Sequence, residues 1–583
     1  MLVGMACALP ACWSRSAAGM VPALRCGWLA ICVMAVLSCL GVVLPGGIVA
    51  WAGFSGNARD VALLVPLGIV GFAASGGRDL AACGGAALAV TGGPVLSSMG
   101  AGWILVARAH GPHNDILRMD VRQAPDLIAL LLMAAVLVFP AHAGWLLPGL
   151  CWLATRGLLG LSFSPRVAPR GLHPFHMTDI AAMVAAMALW GHLPAGGMVA
   201  DMRWGGMLIV AGCLLYMTAS WRALCAGDGR RVMTGLLGGT GALVIVLAGL
   251  GLLARADDLP AMATCAGRTS MLVVGTLLTW VFMARAIDVM EREAGALVLC
   301  RLGGLGVLMP RLSALFSIGL LAESGLPPLL GFSLIWMLLH LLAAMPRGGG
   351  LGADLPLLLA LMALGAGWAI RMLALVRIVA VMLCGRPRTP RGAGASDPPG
   401  REMVTLLLAV LPVLCASIWP GYWLGLVAGH GPGGVTWPMM DTIVLASPDG
   451  AAVLHPARLC LLVAVVGGMV VLLRRMACPT PARQVAGWQQ GAPPVPPWMV
   501  FGDPLTQVGP GNPARMLLDM VVMPAARRRL LRDYVRLRRR MGQPWPALAR
   551  YAGDVLRGSV MVSAPVVVAM ACMAALIFIA WHG

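Results

Sequence analysis

Lysine is absent from all 583 residues, so the 42 basic side chains are arginine throughout. Charge of either sign is scarce: Asp, Glu, Lys and Arg make up 11% of the chain, 59% of residues are hydrophobic, and mean hydropathy is +0.86. A water-soluble protein keeps far more polar surface than that. A soluble globular enzyme is therefore excluded, and lipid is the expected solvent for most of the chain. No Cys-x-x-Cys occurs, and the 16 cysteines are scattered singly through apolar segments. That excludes an iron–sulfur cluster, a zinc ribbon or a disulfide framework, and leaves the cysteines as small apolar side chains. The histidines offer only His110/His113 and His173/His176 in loop surroundings, with Asp115 and Asp179 nearby and no Cys companion. No metal set, nucleotide loop or redox centre is visible, and no cofactor is expected.

What fills the chain instead is apolar runs long enough to cross ~30 Å of hydrocarbon, each of which must be a helix that satisfies its own backbone. They fall near 27–51, 59–76, 80–107, 126–142, 144–163, 177–199, 204–224, 233–254, 269–290, 310–324, 326–345, 354–383, 403–425, 457–475 and 559–581. The fold class is thus all-α, a polytopic transmembrane bundle of about 14–15 spans. The run Trp28–Trp51 is too long for a signal-peptide core and reads as the first span.

The formal net charge of +19 does not mark a nucleic-acid partner. Arginine gathers in loops and in a C-terminal arm, as the positive-inside rule expects. Residues 385–402 and 476–514 are Pro/Gly-rich loops, the second containing Ala492-Pro493-Pro494-Val495-Pro496-Pro497. From Arg515 to Arg557 stand eleven Arg against three Asp, with Leu530, Leu531, Tyr534 and Leu537 on the helical face opposite Arg528, Arg532, Arg536 and Arg539. That pattern is an amphipathic helix at the membrane surface, expected on the cytoplasmic side. The organisation is N-terminal transmembrane helices over 1–125, a core over 126–475 shortened around 156–203, the loop 476–514, the basic arm 515–557, and a terminal helix over 558–583.

The most informative stretch is 301–345, RLGGLGVLMPRLSALFSIGLLAESGLPPLLGFSLIWMLLHLLAAM. An apolar helix runs into Ser324-Gly325-Leu326-Pro327-Pro328 and then Gly331-Phe332. Proline removes donors and glycine loosens the backbone, so the helix is expected to break. At bilayer depth a break is tolerated only where protein or a polar cavity satisfies the freed groups, which favours a transporter or channel-like subunit over an anchor. Charges inside the apolar runs include Arg156, Asp179, Arg285, Asp288, Glu323 and Arg377. By default such residues are ion-pathway candidates. Arg285 and Asp288, spaced i, i+3, are expected to pair, and Glu323 to face protein as a proton acceptor or as partner of an arginine on a neighbouring helix.

The same stretch resembles the proton-conducting, antiporter-like membrane subunits shared by respiratory complex I, Mrp antiporters and the membrane arms of hydrogenases. Arg301-Leu302-Gly303-Gly304-Leu305, Met309-Pro310 and Ser324–Phe332 are nearest to the branch of hydrogenase-4 component B and formate hydrogenlyase subunit 3. Ala226-Gly227-Asp228-Gly229-Arg230-Arg231 resembles the family's connection between two core helices. Val376-Arg377 with Leu383–Arg388 resembles its late helix and exit, and Gly487-Trp488-Gln489-Gln490-Gly491 a loop of that branch.

The resemblance implies a membrane subunit of a multisubunit oxidoreductase, with other membrane-arm and redox subunits as partners, in a bacterial inner membrane. Relatives that move protons carry a buried Glu and three lysines in a row. Here the early position reads Cys151 or Trp152, a lysine-bearing broken helix is missing between Arg156 and Arg203, the third position falls at Trp280, and the fourth is Arg377. Arginine keeps its proton above pH ~12 and does not replace a relay lysine. Codon bias explains Lys→Arg but not Trp280 or a missing helix. The resemblance therefore implies a divergent subunit that supports the membrane arm with weakened translocation. The alternatives are a working proton or cation translocator rerouted through Glu323, Asp288 and Asp179, and, from another class, a polytopic lipid-linked transferase. The transferase would need clustered Asp, His or Arg in a loop, which 385–402 and 476–514 do not offer.

Overall fold

The computed structural model describes residues 80–91, 177–191, 198–295, 297–345, 351–420, 445–447 and 452–477, with a few isolated positions elsewhere. The expected spans 27–51, 126–142, 144–163 and 559–581, the loop 476–514 and the arm 515–557 lie outside the described residues, as do Cys151, Trp152, Arg156 and the paired histidines.

Among the described residues ten helices carry the architecture: α1 (Leu80–Thr91), α2 (Met177–Gly191), α3 (Met198–Cys225), α4 (Gly229–Ala256), α5 (Pro260–Ala294), α6 (Pro310–Ser324), α7 (Leu330–Ala344), α8 (Leu351–Ile378), α9 (Gly400–Ile418) and α10 (Pro456–Ala477). A two-residue antiparallel pair, Leu445–Ala446 with Val453–Leu454, is the sheet content among the described residues. Among the described residues six helices are long and apolar enough to cross a membrane, and the chain is a multi-pass membrane protein of all-α class.

Two differences from the sequence expectation concern boundaries. The expected span 177–199 is instead α2, which stops at Gly191, followed by a new helix from Met198. The loop expected over 385–402 contains a helical turn at Pro390–Ala393, capped by the Thr389 side chain accepting from Gly392 N–H, and its end is already the first turn of α9.

Helices α4 and α5 form the centre. The apolar windows of these helices are 89% and 94% buried, against 6% for α10, which presents its side chains outward as a lipid-facing helix does. Asp228 caps α4 by accepting from Arg230 N–H at 2.8 Å. Helices α3 and α4 approach closely because each puts glycine at the crossing: a Cβ on Gly205 would meet Gly249 O at 2.9 Å, and one on Gly249 would meet Gly205 O at 2.7 Å.

Each of α6 and α7 has 15 residues. At 1.5 Å per residue each reaches roughly 22 Å, short of the ~30 Å core, so only the two in sequence can cross it. Their register against α5 shows that they do run on together. Gly319 of α6 packs on Phe282 and Met283, and Leu330 of α7 packs on Gly275. Rising numbers along α6–α7 thus meet falling numbers along α5, an antiparallel pairing that continues through the break.

Candidate ion-pathway site at the helix break

Helix α6 ends at Ser324 because Gly325 takes the left-handed conformation, φ 71°, which glycine adopts without a Cβ penalty. The groups freed by the break find partners on other helices. Trp368 of α8 donates its indole N–H to Ser324 O at 2.9 Å, and Leu330 N–H, at the start of α7, donates to the Ser417 hydroxyl of α9 at 3.1 Å. Gly331 lies so close to Ala322 O that a side chain has no room there. The break is a packed joint held by α8 and α9.

Glu323 sits one residue before it, buried and inside protein. Its Oε2 accepts from Arg371 Nη2 of α8 at 2.6 Å, with both side chains about 5% exposed or less. Arg371 also donates to Leu236 O at 2.6 Å and lies 3.4 Å from the Thr240 hydroxyl, both on α4, and its guanidinium is 6.0 Å from the centre of the Trp280 ring. Tyr216 of α3 packs against Gly367, one turn from Arg371 along α8. A cation over an aromatic face, paired with one carboxylate oxygen and bonded to a helix carbonyl, is a closed arrangement.

The other candidates lie elsewhere. Asp288 does not pair with Arg285, as expected from their spacing. It accepts from Arg230 Nη2 at 2.6 Å, and Glu291 accepts from the same guanidinium at 2.6 Å. Arg230 stands in the first turn of α4, beside the last turns of α5, and reaches both carboxylates while Arg285 points outward as an exposed side chain. Arg377 donates through Nη2 to Ala223 O at 2.9 Å and Ala226 O at 2.7 Å. It thereby serves carbonyls at the C-terminal end of α3, where a cation also suits the helix dipole. Asp179 is buried in the first turn of α2, an end that favours a carboxylate.

These positions differ in depth. Arg230, Asp288, Glu291 and Arg377 gather where α3, α5 and α8 end and α4 begins. Leu236 and Thr240, which hold Arg371, lie roughly 9–15 Å beyond Arg230 along α4 by the helical rise. Among the described candidates, the structure therefore brings Glu323 to Arg371 at depth and leaves Asp288 and Arg377 at one end. Among the described residues no three His, Cys, Asp or Glu side chains converge as a metal would require.

Arg371 and Arg230 were missed from the sequence. Arg371 lies within the apolar run 354–383 and carries the same signal as Arg377, a charge at bilayer depth. The resemblance drew attention to Arg377 alone. Two stretches that carried the resemblance meet in space: Gly304 N–H donates to Cys384 O at 2.9 Å, and Gly303 lies against Arg386 O.

No family model matches the chain. It is similar to hydrogenase-4 component B of Escherichia coli K12, 23% identical over 331 residues, covering 54% of this chain and 46% of that protein. It is also similar to formate hydrogenlyase subunit 3 of the same organism, 24% identical over 155 residues, covering 25% of this chain and 26% of that protein. The chain spans less than half the length of these curated relatives. Among solved structures, a chain of the Mrp complex from Dietzia sp. DQ12-45-1b is similar at 13% identity and TM-score 0.49, over 75% of this chain and 96% of that one. The two curated relatives are the ones to which the stretch 301–345 was nearest.

Proposed function

We propose that this chain is a divergent antiporter-like membrane subunit of an oxidoreductase complex of the hydrogenase-4 or complex I kind, which supports the membrane arm with weakened proton translocation. Its partners are the other membrane-arm and redox subunits, which carry the electrons, and its place is the bacterial inner membrane. The observation that supports this reading is the closed pair Glu323–Arg371. A relay group must hold and release a proton near neutral pH. Arg371 releases none, and Glu323 can take a proton only by leaving a buried guanidinium without its counter-charge. Asp288, the second carboxylate of the rerouted alternative, is engaged by Arg230 at the end of the bundle rather than stationed beside Glu323.

The test is reconstitution of the purified chain, or of its native complex, in liposomes with an enclosed pH dye, alongside a Glu323→Gln, Asp288→Asn double variant. Equal, near-background flux in both is expected. Robust flux that disappears in the double variant refutes the reading and establishes a translocator.

A further inference from the structure

Glu323 uses only one of its two carboxylate oxygens. Oε1 is fully enclosed and has no hydrogen-bond partner in the protein, and the hydroxyl of Thr279 on α5 is in the same condition. The packing register places these two residues at the same level on adjacent helices. Gly319 of α6 sits on Phe282 and Met283 of α5, and the helices run antiparallel, so one turn further on Glu323 falls level with Thr279. The Arg371 guanidinium, bonded to Glu323, also lies over the ring of Trp280, the residue next to Thr279. A third enclosed hydroxyl without a partner, Ser333, stands in the first turn of α7, just past the break.

A buried carboxylate oxygen with no donor costs several times what a neutral unpaired group does, and native interiors avoid it by enclosing ordered water. Anions are disfavoured here because Oε1 carries negative charge. A metal cation is disfavoured by the Arg371 guanidinium on the other carboxylate oxygen. What remains is a small neutral molecule that donates to Oε1 and exchanges a hydrogen bond with a hydroxyl.

We propose that the helix break encloses a water-binding site between α5 and α6, built by Glu323 Oε1 and Thr279 Oγ1, on the side of the carboxylate away from Arg371. The site gives Glu323 a hydrogen-bond donor on Oε1 while its other oxygen stays locked to arginine. This inference rests on the proposed function only in taking the break to lie at membrane depth, and it stands whether or not protons cross.

The test reads hydration directly and separately from flux. Electron cryo-microscopy of the full chain in nanodiscs, at a resolution that shows ordered solvent, is expected to reveal a density peak within hydrogen-bond distance of both Glu323 Oε1 and Thr279 Oγ1. Unbroken apolar packing against Oε1 overturns the proposal. The second measurement is the thermal midpoint of Thr279→Val, calibrated by Thr276→Val, whose hydroxyl already bonds Val273 O within its own helix. If water is bound, Thr279→Val strands it and lowers the midpoint by roughly 1–2 °C relative to Thr276→Val. If the site is dry, the substitution removes an unpaired hydroxyl and raises the midpoint, which also overturns the proposal. Should Thr279→Val not accumulate, the density in the unaltered chain decides alone.

Discussion

Removing Arg371 is expected to be among the most destabilising single changes in the described part of the chain, and removing Glu323 with it is expected to restore most of the loss. At the 2.6 Å separation of Arg371 Nη2 and Glu323 Oε2, and an effective dielectric constant of about 20, the gross attraction is about 6 kcal/mol. Desolvation of two buried ions consumes much of that, so the pair's net worth is small. The cost of breaking it is not small, because the surviving charge stays buried. Arg371→Met leaves Glu323 unpaired and Glu323→Leu leaves Arg371 unpaired, each at ~3–5 kcal/mol. Leu236 O adds little to the first, since it already serves the α4 ladder and Thr240 Oγ1 also donates to it. The double variant Glu323→Leu, Arg371→Met replaces the pair with apolar groups and is expected near wild-type stability. Reversible unfolding in mixed micelles of dodecyl maltoside and sodium dodecyl sulfate measures all four corners. Losses that simply add, to within about 0.5 kcal/mol, would mean that the two side chains do not act on each other, and the account of the site fails.

Three smaller expectations follow from other contacts. Arg377→Met strips two carbonyls at the end of α3 of their donor and is expected to cost ~1–3 kcal/mol in the same unfolding assay, with Arg377→Lys recovering part and liposome flux unchanged by either. Glu402 accepts both of its bonds from Arg292, whose side chain is half exposed at 52%, so Glu402→Gln should cost no more than about 1 kcal/mol, and the difference should vanish in 1 M salt. Gly331→Ala drives a methyl into Ala322 O and is expected to lose ~1–3 kcal/mol and monodisperse yield, whereas Gly365→Ala, which meets open space, should stay within about 0.5 kcal/mol of the parent.

The break at 324–330 was legible because proline and glycine act on the backbone locally, so their effect can be read without knowing what lies opposite. The same holds for most helix positions, set by apolar runs whose length the bilayer dictates. Partnerships across helices were not legible. Spacing on one helix suggested Arg285 with Asp288, but a helix surface has neighbours beyond its own turns, and Arg230, carried in by the start of α4, displaces the local partner. Glu323 was expected to face protein, as a proton acceptor or as the partner of an arginine on a neighbouring helix. The sequence offers several, and only the packing of α6 on α8 selects Arg371.

Trp280 has a neighbour across the bundle that the chain alone does not reveal. Along the chain it is an aromatic ring where the resemblance implies an ammonium, which reads as a charge lost. In three dimensions Arg371 brings a guanidinium to that ring from α8. The positive charge at this level therefore comes from another helix. An ammonium of lysine in a dry site can give up its proton, because desolvation lowers its pKa toward neutrality; a guanidinium in the same site stays charged and must keep an anion beside it. Glu323 is that anion. Loading a proton onto Glu323 would expose Arg371 to the full cost of an unpaired buried charge, so the arginine that stabilises the carboxylate also raises the barrier to using it. The joint at the break keeps its architecture, with Trp368 and Ser417 satisfying its backbone, while its electrostatics are fixed in one state. A relay at this joint would need a neutralisable base in place of Arg371, and a lysine at position 280 would place a second cation against the first.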